Sequence, residues 1–263
     1  MGKNNKSIEF KKERLGEENY NSYGTLMKIV EYNTRNDMII EFQDEYKERV
    51  HGAYKEFKKG MIRNPYDKSV YNIGYLGKGK YGCESHREIY YFWKHMLERC
   101  YDPYYINKFP TYIDCYVCEE WHNYQNFAKW YEENYYECDN ERMALDKDIF
   151  IKGNKVYSPK TCCFVPQTIN NLFLKRQNDR GKYPIGVCFH KASGKYLSKC
   201  SIANKERKNK RVHLGLYDTV NEAFYCYKQF KESYIKQVAD EYKDLIPKEL
   251  YDAMYNYEVE IND

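Results

Sequence analysis

Apolar residues recur along the chain at two periods, arranged in blocks. Leu26-Met27-Lys28-Ile29-Val30 and Met38-Ile39-Ile40-Glu41-Phe42 are short apolar runs on either side of Asn33-Thr34-Arg35-Asn36-Asp37, a cluster of turn formers. That pattern predicts a β-hairpin. A third strand near Lys47–His51 and a helical turn over Ala53–Lys59 follow, stopped by Gly60 and Pro65. From Ser85 the period lengthens. Ile89, Trp93, Met96, Leu97 and Cys100 fall at i, i+4, i+7, i+8 and i+11, one face of a helix, and Ser85 with Glu88 has the spacing of a capping box. Trp121, Phe127, Trp130 and Tyr131 predict a second helix, with these rings in the core. Met143–Ile149, the turn Gly153-Asn154, Val156–Pro159, Phe164-Val165-Pro166 and Thr168–Asn171 then read as strand, turn, strand and helix, Pro166 suiting a first helical turn.

Alternation returns near the C-terminus. Gly186–His190, Lys195–Ile202 and Arg211–Tyr217 read as three strands, separated by Ala192-Ser193-Gly194 and the polar stretch Asn204–Lys210. Parity sorts their side chains. Lys195, Leu197, Lys199 and Ser201 share one face and Tyr196, Cys200 and Ile202 the other; Arg211 and His213 point away from Val212 and Leu214. Thr219 and Glu222 form a second capping box, opening a helix whose stripe is Ala223, Tyr227, Phe230, Tyr234 and Val238. The fold class is α+β, built of small modules: a β-sheet with a short helix at 8–75, helices and a strand-turn-strand-helix unit at 81–176, and a three-stranded antiparallel sheet on one helix at 181–245. An acidic tail follows at 246–263, and Gly74–Lys80 is a Gly/Lys-rich border without the spacing of a phosphate loop.

Composition narrows the class of protein. A length of 263 residues allows one large domain or two to three small ones. No apolar run approaches the roughly 20 residues that span a bilayer. No apolar stretch backs the first six residues, so the ten cysteines read as reduced thiols of a cytoplasmic protein, with no membrane partner. The net charge of +4 conceals a sharper distribution: residues 172–217 carry 12 basic and 2 acidic side chains, while 81–171 carry 10 and 14 and 218–263 carry 5 and 11. A concentrated positive field of this kind suits a phosphate backbone, whose neutralisation releases counterions. A solvated charged surface is the bland alternative. Strand parity favours the first, because it gathers the cations on one face of a sheet wide enough to enter a major groove.

Gly186-Val187, Gly194-Lys195-Tyr196, His213-Leu214-Gly215-Leu216-Tyr217-Asp218-Thr219, Glu222-Ala223 and Tyr227 together resemble the Apetala/ethylene-response-factor type of DNA-binding domain. The resemblance covers about residues 181–240 and implies a three-stranded sheet, packed on a helix, that reads duplex DNA with its outer face. The implied DNA contacts fall on or beside Cys188, His190, Lys195, Lys199, Ser201, Lys210, Arg211 and His213.

Residues 86–176 are similar to the HNH-type endonucleases carried by bacteriophages, which implies a bacterial host cytoplasm. The matching elements are His86, Tyr91 to Tyr101, Val117-Cys118-Glu119-Glu120-Trp121, Phe127, Trp130, Leu145-Asp146-Lys147-Asp148, Tyr157-Ser158-Pro159, Cys162, Phe164, Val165 and Asn170-Asn171. The resemblance implies phosphodiester cleavage with one Mg2+ or Mn2+ held by Asp146 or Asp148 with Asn170 or Asn171, and no small-molecule cofactor. The general-base position falls on Lys147, not His, and the middle Asn of the motif falls near Thr161. An ordinary lysine titrates near 10.4 and is a phosphate partner at neutral pH, not a proton acceptor; His95 and His122 are the other candidate bases. Zinc on Cys115 and Cys118, completed from His122, Cys162 and Cys163, is the weaker reading of the cysteines, packing the stronger. The expected function is a site-specific HNH homing endonuclease. The alternatives are a DNA-binding regulator or anti-defence protein without catalysis, and a scaffold for an acidic protein.

Overall fold

The computed structural model describes residues 13–139, 141–174, 181–203 and 209–263. Parts of three expectations lie outside them: the start of the first module at 8, the end of the second at 176, and residues 204–208 of the polar loop. The chain is mixed α+β and divides into two compact units between Glu133 and Asn134. Among the described residues no helix is long and apolar enough to cross a membrane.

In the first unit, β1 (Glu18–Tyr20), β2 (Leu26–Thr34), β3 (Asp37–Phe42) and β4 (Arg49–Gly52) form an antiparallel sheet in that order. β1 has no counterpart in the expected pattern, because three polar-flanked residues show no period. The hairpin register pairs Ile29 with Ile40, so alternate residues Met27, Ile29, Met38, Ile40 and Phe42 are all buried on one face. Phe57 of helix α1 (Tyr54–Lys58) and Ile62 cover that face.

Helix α2 (Arg87–Tyr101) buries the five residues of the predicted stripe. Its capping box does not form. The helix starts after His86, and the Ser85 hydroxyl turns back to the carbonyl of Gly82 at 3.3 Å, so it caps nothing. Asp102 caps helix α3 (Pro103–Lys108) by accepting from the amide of Tyr104 at 2.9 Å. After strand β5 (Tyr116–Val117), helix α4 runs over Tyr124–Asn134. Trp121 precedes it in a 3-10 turn, where its carbonyl accepts from the Trp93 indole at 2.7 Å.

The second unit opens with β6 (Met143–Asp146), β7 (Val156–Tyr157) and β8 (Cys163–Pro166), then the single-turn helix α5 (Gln167–Asn170). β6 and β8 form an antiparallel ribbon that pairs Met143 with Pro166 and Asp146 with Cys163. The expected strand to Ile149 stops at Asp146, because the Asp146 carboxylate accepts from the amides of Asp148 and Ile149 and bends the chain. Strands β9 (Val187–His190), β10 (Lys195–Ala203) and β11 (Asn209–Tyr217) form the second sheet, in the order β11-β10-β9.

Helix α6 (Val220–Tyr242) belongs to two cores. Its first turns bring Ala223, Phe224 and Tyr227 onto Val187 and Cys200 of the sheet. Its later turns bring Ile235, Val238 and Ala239 onto Ile149, Val165, Ile169 and Leu172 of the ribbon region. The expected acidic tail is folded: helix α7 (Lys248–Tyr255) buries Leu250 and Met254 completely in that second core. Full burial contributes about 1.5–3 kcal/mol per such side chain. The expected border between 176 and 181 therefore crosses a shared core, since ribbon and sheet are covered by one helix.

Candidate nucleic-acid interface and the carboxylate turn

The sheet of the second unit has one covered face and one open face. On β10, Ser198 and Cys200 point under helix α6 and are buried. The opposite parity carries Lys195, Leu197, Lys199 and Ser201, and the register assembles rows across the strands. His190 lies opposite Lys195, Cys188 and Leu216 flank Leu197, Lys199 is opposite His213, and Ser201 is opposite Arg211. These expected contacts except Lys210 therefore share the open face. Lys210 pairs with Ile202 and has the parity of the covered side, at the sheet's end.

A β-bulge makes this arrangement possible. The register slips between Ser198 and Lys199, so His213 stays on the open face with Lys199 while Tyr217 returns to the helix side opposite Tyr196. Gly215, with φ of 146°, takes up the distortion. Gly186 is required for another reason. Its φ is positive, and a Cβ there would overlap the ring of Tyr227 where sheet and helix meet.

Two groups on the open face are engaged by neighbours: Lys195 pairs with Asp218 at 3.0 Å, and the His190 ring meets the Ser193 hydroxyl at 2.8 Å. Lys199, Arg211 and His213 make no side-chain hydrogen bond or ion pair with a described residue. Beneath them the interior is polar in two places. The Ser198 hydroxyl is buried without a partner among the described residues, and Lys231 of helix α6 is buried, its ammonium pushed below its usual range by desolvation.

The carboxylate turn lies between β6 and Asn154. Asp146 Oδ1 accepts from the amides of Asp148 at 2.9 Å and Ile149 at 2.8 Å. Burial, reinforced by the neighbouring Asp148, raises the Asp146 carboxyl above the usual range. Lys147 is buried; its Nζ donates to Asp148 Oδ2 at 3.1 Å and to the carbonyl of Asn154 at 2.8 Å. The Asn154 amide returns a bond to the Lys147 carbonyl at 2.6 Å. Lys147 is thereby a charged staple across the turn, and a nitrogen donating to two oxygens is not placed to accept a proton. Asn154 was not anticipated from the sequence; only its position after Gly153 in a turn marked it. Thr161 locks the following loop by donating to the Val156 carbonyl at 2.7 Å.

Of the expected metal ligands, Asp146 and Asp148 lie on the turn, whereas Asn170 ends α5 and Asn171 follows it. Asp146 stands at one end of the ribbon, whereas α5 leaves the other, where the Gln167 amide bonds to the Arg142 carbonyl. Asp148 is neutralised by Lys147, and Asn171 Oδ1 accepts from Gln167. Among the described residues no three His, Cys, Asp or Glu side chains are grouped to hold a metal. The candidate bases are also occupied. His95 is exposed and bonded to Glu98 at 2.7 Å, and His122 is bonded to the Val117 carbonyl at 3.1 Å, with burial lowering its pKa. Cys115 and Cys162 are buried, and Cys118 is half-buried, its thiol pushed up by desolvation.

In comparisons with protein-family models, with curated proteins and with solved structures, nothing matches this chain.

Proposed function

We propose that this protein binds double-stranded DNA through the open face of the β9–β11 sheet. The reading is supported by one observation above others: Lys199, Arg211 and His213, without neutralising partners among the described residues, share that face with Lys195, His190 and Ser201. Lysine and arginine side chains without neutralising partners among the described residues, on a sheet of groove width, favour a polyanion over an internal structural role. The test is a salt-titrated binding measurement on duplex DNA. Affinity is expected to fall linearly on a log–log plot, and Arg211→Ala and Lys199→Ala should each reduce the slope by about 1. Slopes unchanged by both substitutions would overturn the assignment of this face; tight binding by an acidic protein in place of DNA would support the scaffold reading.

A second reading, an HNH-type endonuclease using Mg2+ or Mn2+, is favoured by the order of ribbon and helix and by the second oxygen of Asp146, which has no hydrogen bond to a described residue. Incubation of plasmid DNA with either metal separates it from binding alone. Defined nicks or breaks, lost in the Asp146→Ala/Asp148→Ala double variant, support catalysis; tight binding without cleavage leaves a regulator or anti-defence protein on a nuclease-like frame.

A further inference from the structure

The open face is not uniformly cationic. Between the row of His190 and Lys195 and the row of Lys199 and His213 lies a row with no charge at all: Cys188, Leu197 and Leu216, one from each strand. Leu216 is 38 % exposed, and neither leucine belongs to the core under helix α6. A solvated face that needed only charge would have no reason to carry apolar side chains through its middle, flanked by donors on either side.

Dimensions decide what such a row meets. Adjacent strands are about 4.8 Å apart and same-face residues in one strand about 7 Å apart. The three-residue row is therefore roughly 10 Å long, close to the roughly 12 Å width of a major groove. With Lys199 and Arg211 on one side of the row reaching phosphates or guanine edges, the leucines would face the base edges on the groove floor. The one apolar group exposed there by the four bases is the 5-methyl of thymine.

Resting on the DNA-binding reading above, we propose that the Cys188–Leu197–Leu216 row recognises a thymine methyl at the centre of the bound site. Sequence preference then comes from this apolar row, while Lys199 and Arg211 supply affinity. The occupant is duplex DNA and not an apolar protein groove, because Lys199 and Arg211 beside the row have no neutralising partner among the described residues, and a hydrophobic partner would desolvate them without compensation.

The experiment uses the full-length protein and a duplex selected by it from a random-sequence pool. Each thymine of that duplex is replaced in turn by deoxyuridine, which pairs identically and lacks only the methyl group. Burial of one methyl is worth about 0.8 kcal/mol, so replacement at the contacted position should weaken binding about fourfold, with other positions unchanged. In Leu216→Ala and Leu197→Ala the same replacement should have less effect, while the salt slope stays at the wild-type value. Equal affinity for every deoxyuridine duplex, with DNA binding and its salt slope intact, overturns the methyl contact and leaves the binding reading standing. Loss through the leucine variants of salt slope and affinity together, with no thymine dependence, assigns the row to sheet folding and overturns the proposal. Absence of any duplex binding overturns both readings.

Discussion

Single residues in the second unit show how charge and burial decide roles that residue type alone leaves open. Lys147 and Lys231 are both buried, yet among the described residues only Lys147 has polar partners for its ammonium. Lys147 has a carboxylate and a carbonyl as acceptors, so its charge holds a turn. Lys231 has no hydrogen bond or ion pair with a described residue, and desolvation lowers its pKa, with the nearby Cys200 opposing. A lysine whose folded pKa is depressed binds its proton less readily in the native than in the unfolded chain. Its cost is therefore complete below the folded pKa and disappears as pH rises towards about 10.4. Lys231→Met keeps the apolar stem and removes the ammonium. It should raise the melting temperature at pH 7 by a few degrees, for a gain on the order of 1 kcal/mol. The gap from wild type should narrow as pH approaches 10. Thermal melts of both proteins across pH 6–10 check this; a variant less stable at pH 7 would show that the ammonium has a compensating partner. In the sequence Lys147 read as a phosphate partner at the general-base position, and Lys231 carried no reading of its own. Period 3.6 does place residue 231 four after Tyr227, on the buried stripe.

At the scale of the element, two identical signatures had different outcomes. Thr219 accepts from the Glu222 amide at 3.2 Å while the Glu222 carboxylate receives the Thr219 amide at 3.0 Å, a complete capping box. Ser85 and Glu88 have the same spacing, and the box is absent. Spacing makes the motif possible, but the entry direction of the chain decides it, and the turn from Gly82 carries Ser85 away from the helix axis. Thr219→Ala should therefore cost about 1 kcal/mol of stability, whereas Ser85→Ala should cost only a few tenths. Denaturant titrations of the two variants measure the contrast directly; equal costs would mean that the two helix starts are alike in solution. The strands follow the same logic. Parity along Lys195–Ile202 separated the open from the covered residues correctly, because a period of two needs no partner to be read. The bulge opposite Ser198/Lys199 required knowledge of the pairing, and without it Tyr217 and Leu216 would exchange faces. Lys210, beside Arg211 in sequence, lies on the opposite parity.

For the whole molecule, the divisions suggested by composition differ from those made by packing. A change from acidic to basic sequence near residue 176 marks a shift in surface charge, and surface charge says nothing about which apolar faces meet. The later turns of helix α6 and all of α7 cover the ribbon, so Ile235, Val238, Leu250 and Met254 share a core with Ile149, Val165 and Ile169. Removing residues 134–180 would strip that half of helix α6 of its cover and expose several large apolar side chains, each costing about 1.5–3 kcal/mol of burial. Native domains have only about 5–15 kcal/mol of net stability to lose. A fragment beginning at Asn134 should thus unfold in one cooperative transition and retain DNA binding. A fragment beginning at Gly181 should melt without cooperativity or aggregate, despite containing the entire sheet and its basic face. Circular dichroism melts and duplex-binding titrations on the two fragments separate the cases. If the shorter fragment folds and binds as well as the longer one, the ribbon contributes little to the sheet's stability, and the second core is an accessory to the DNA-binding face and not its support.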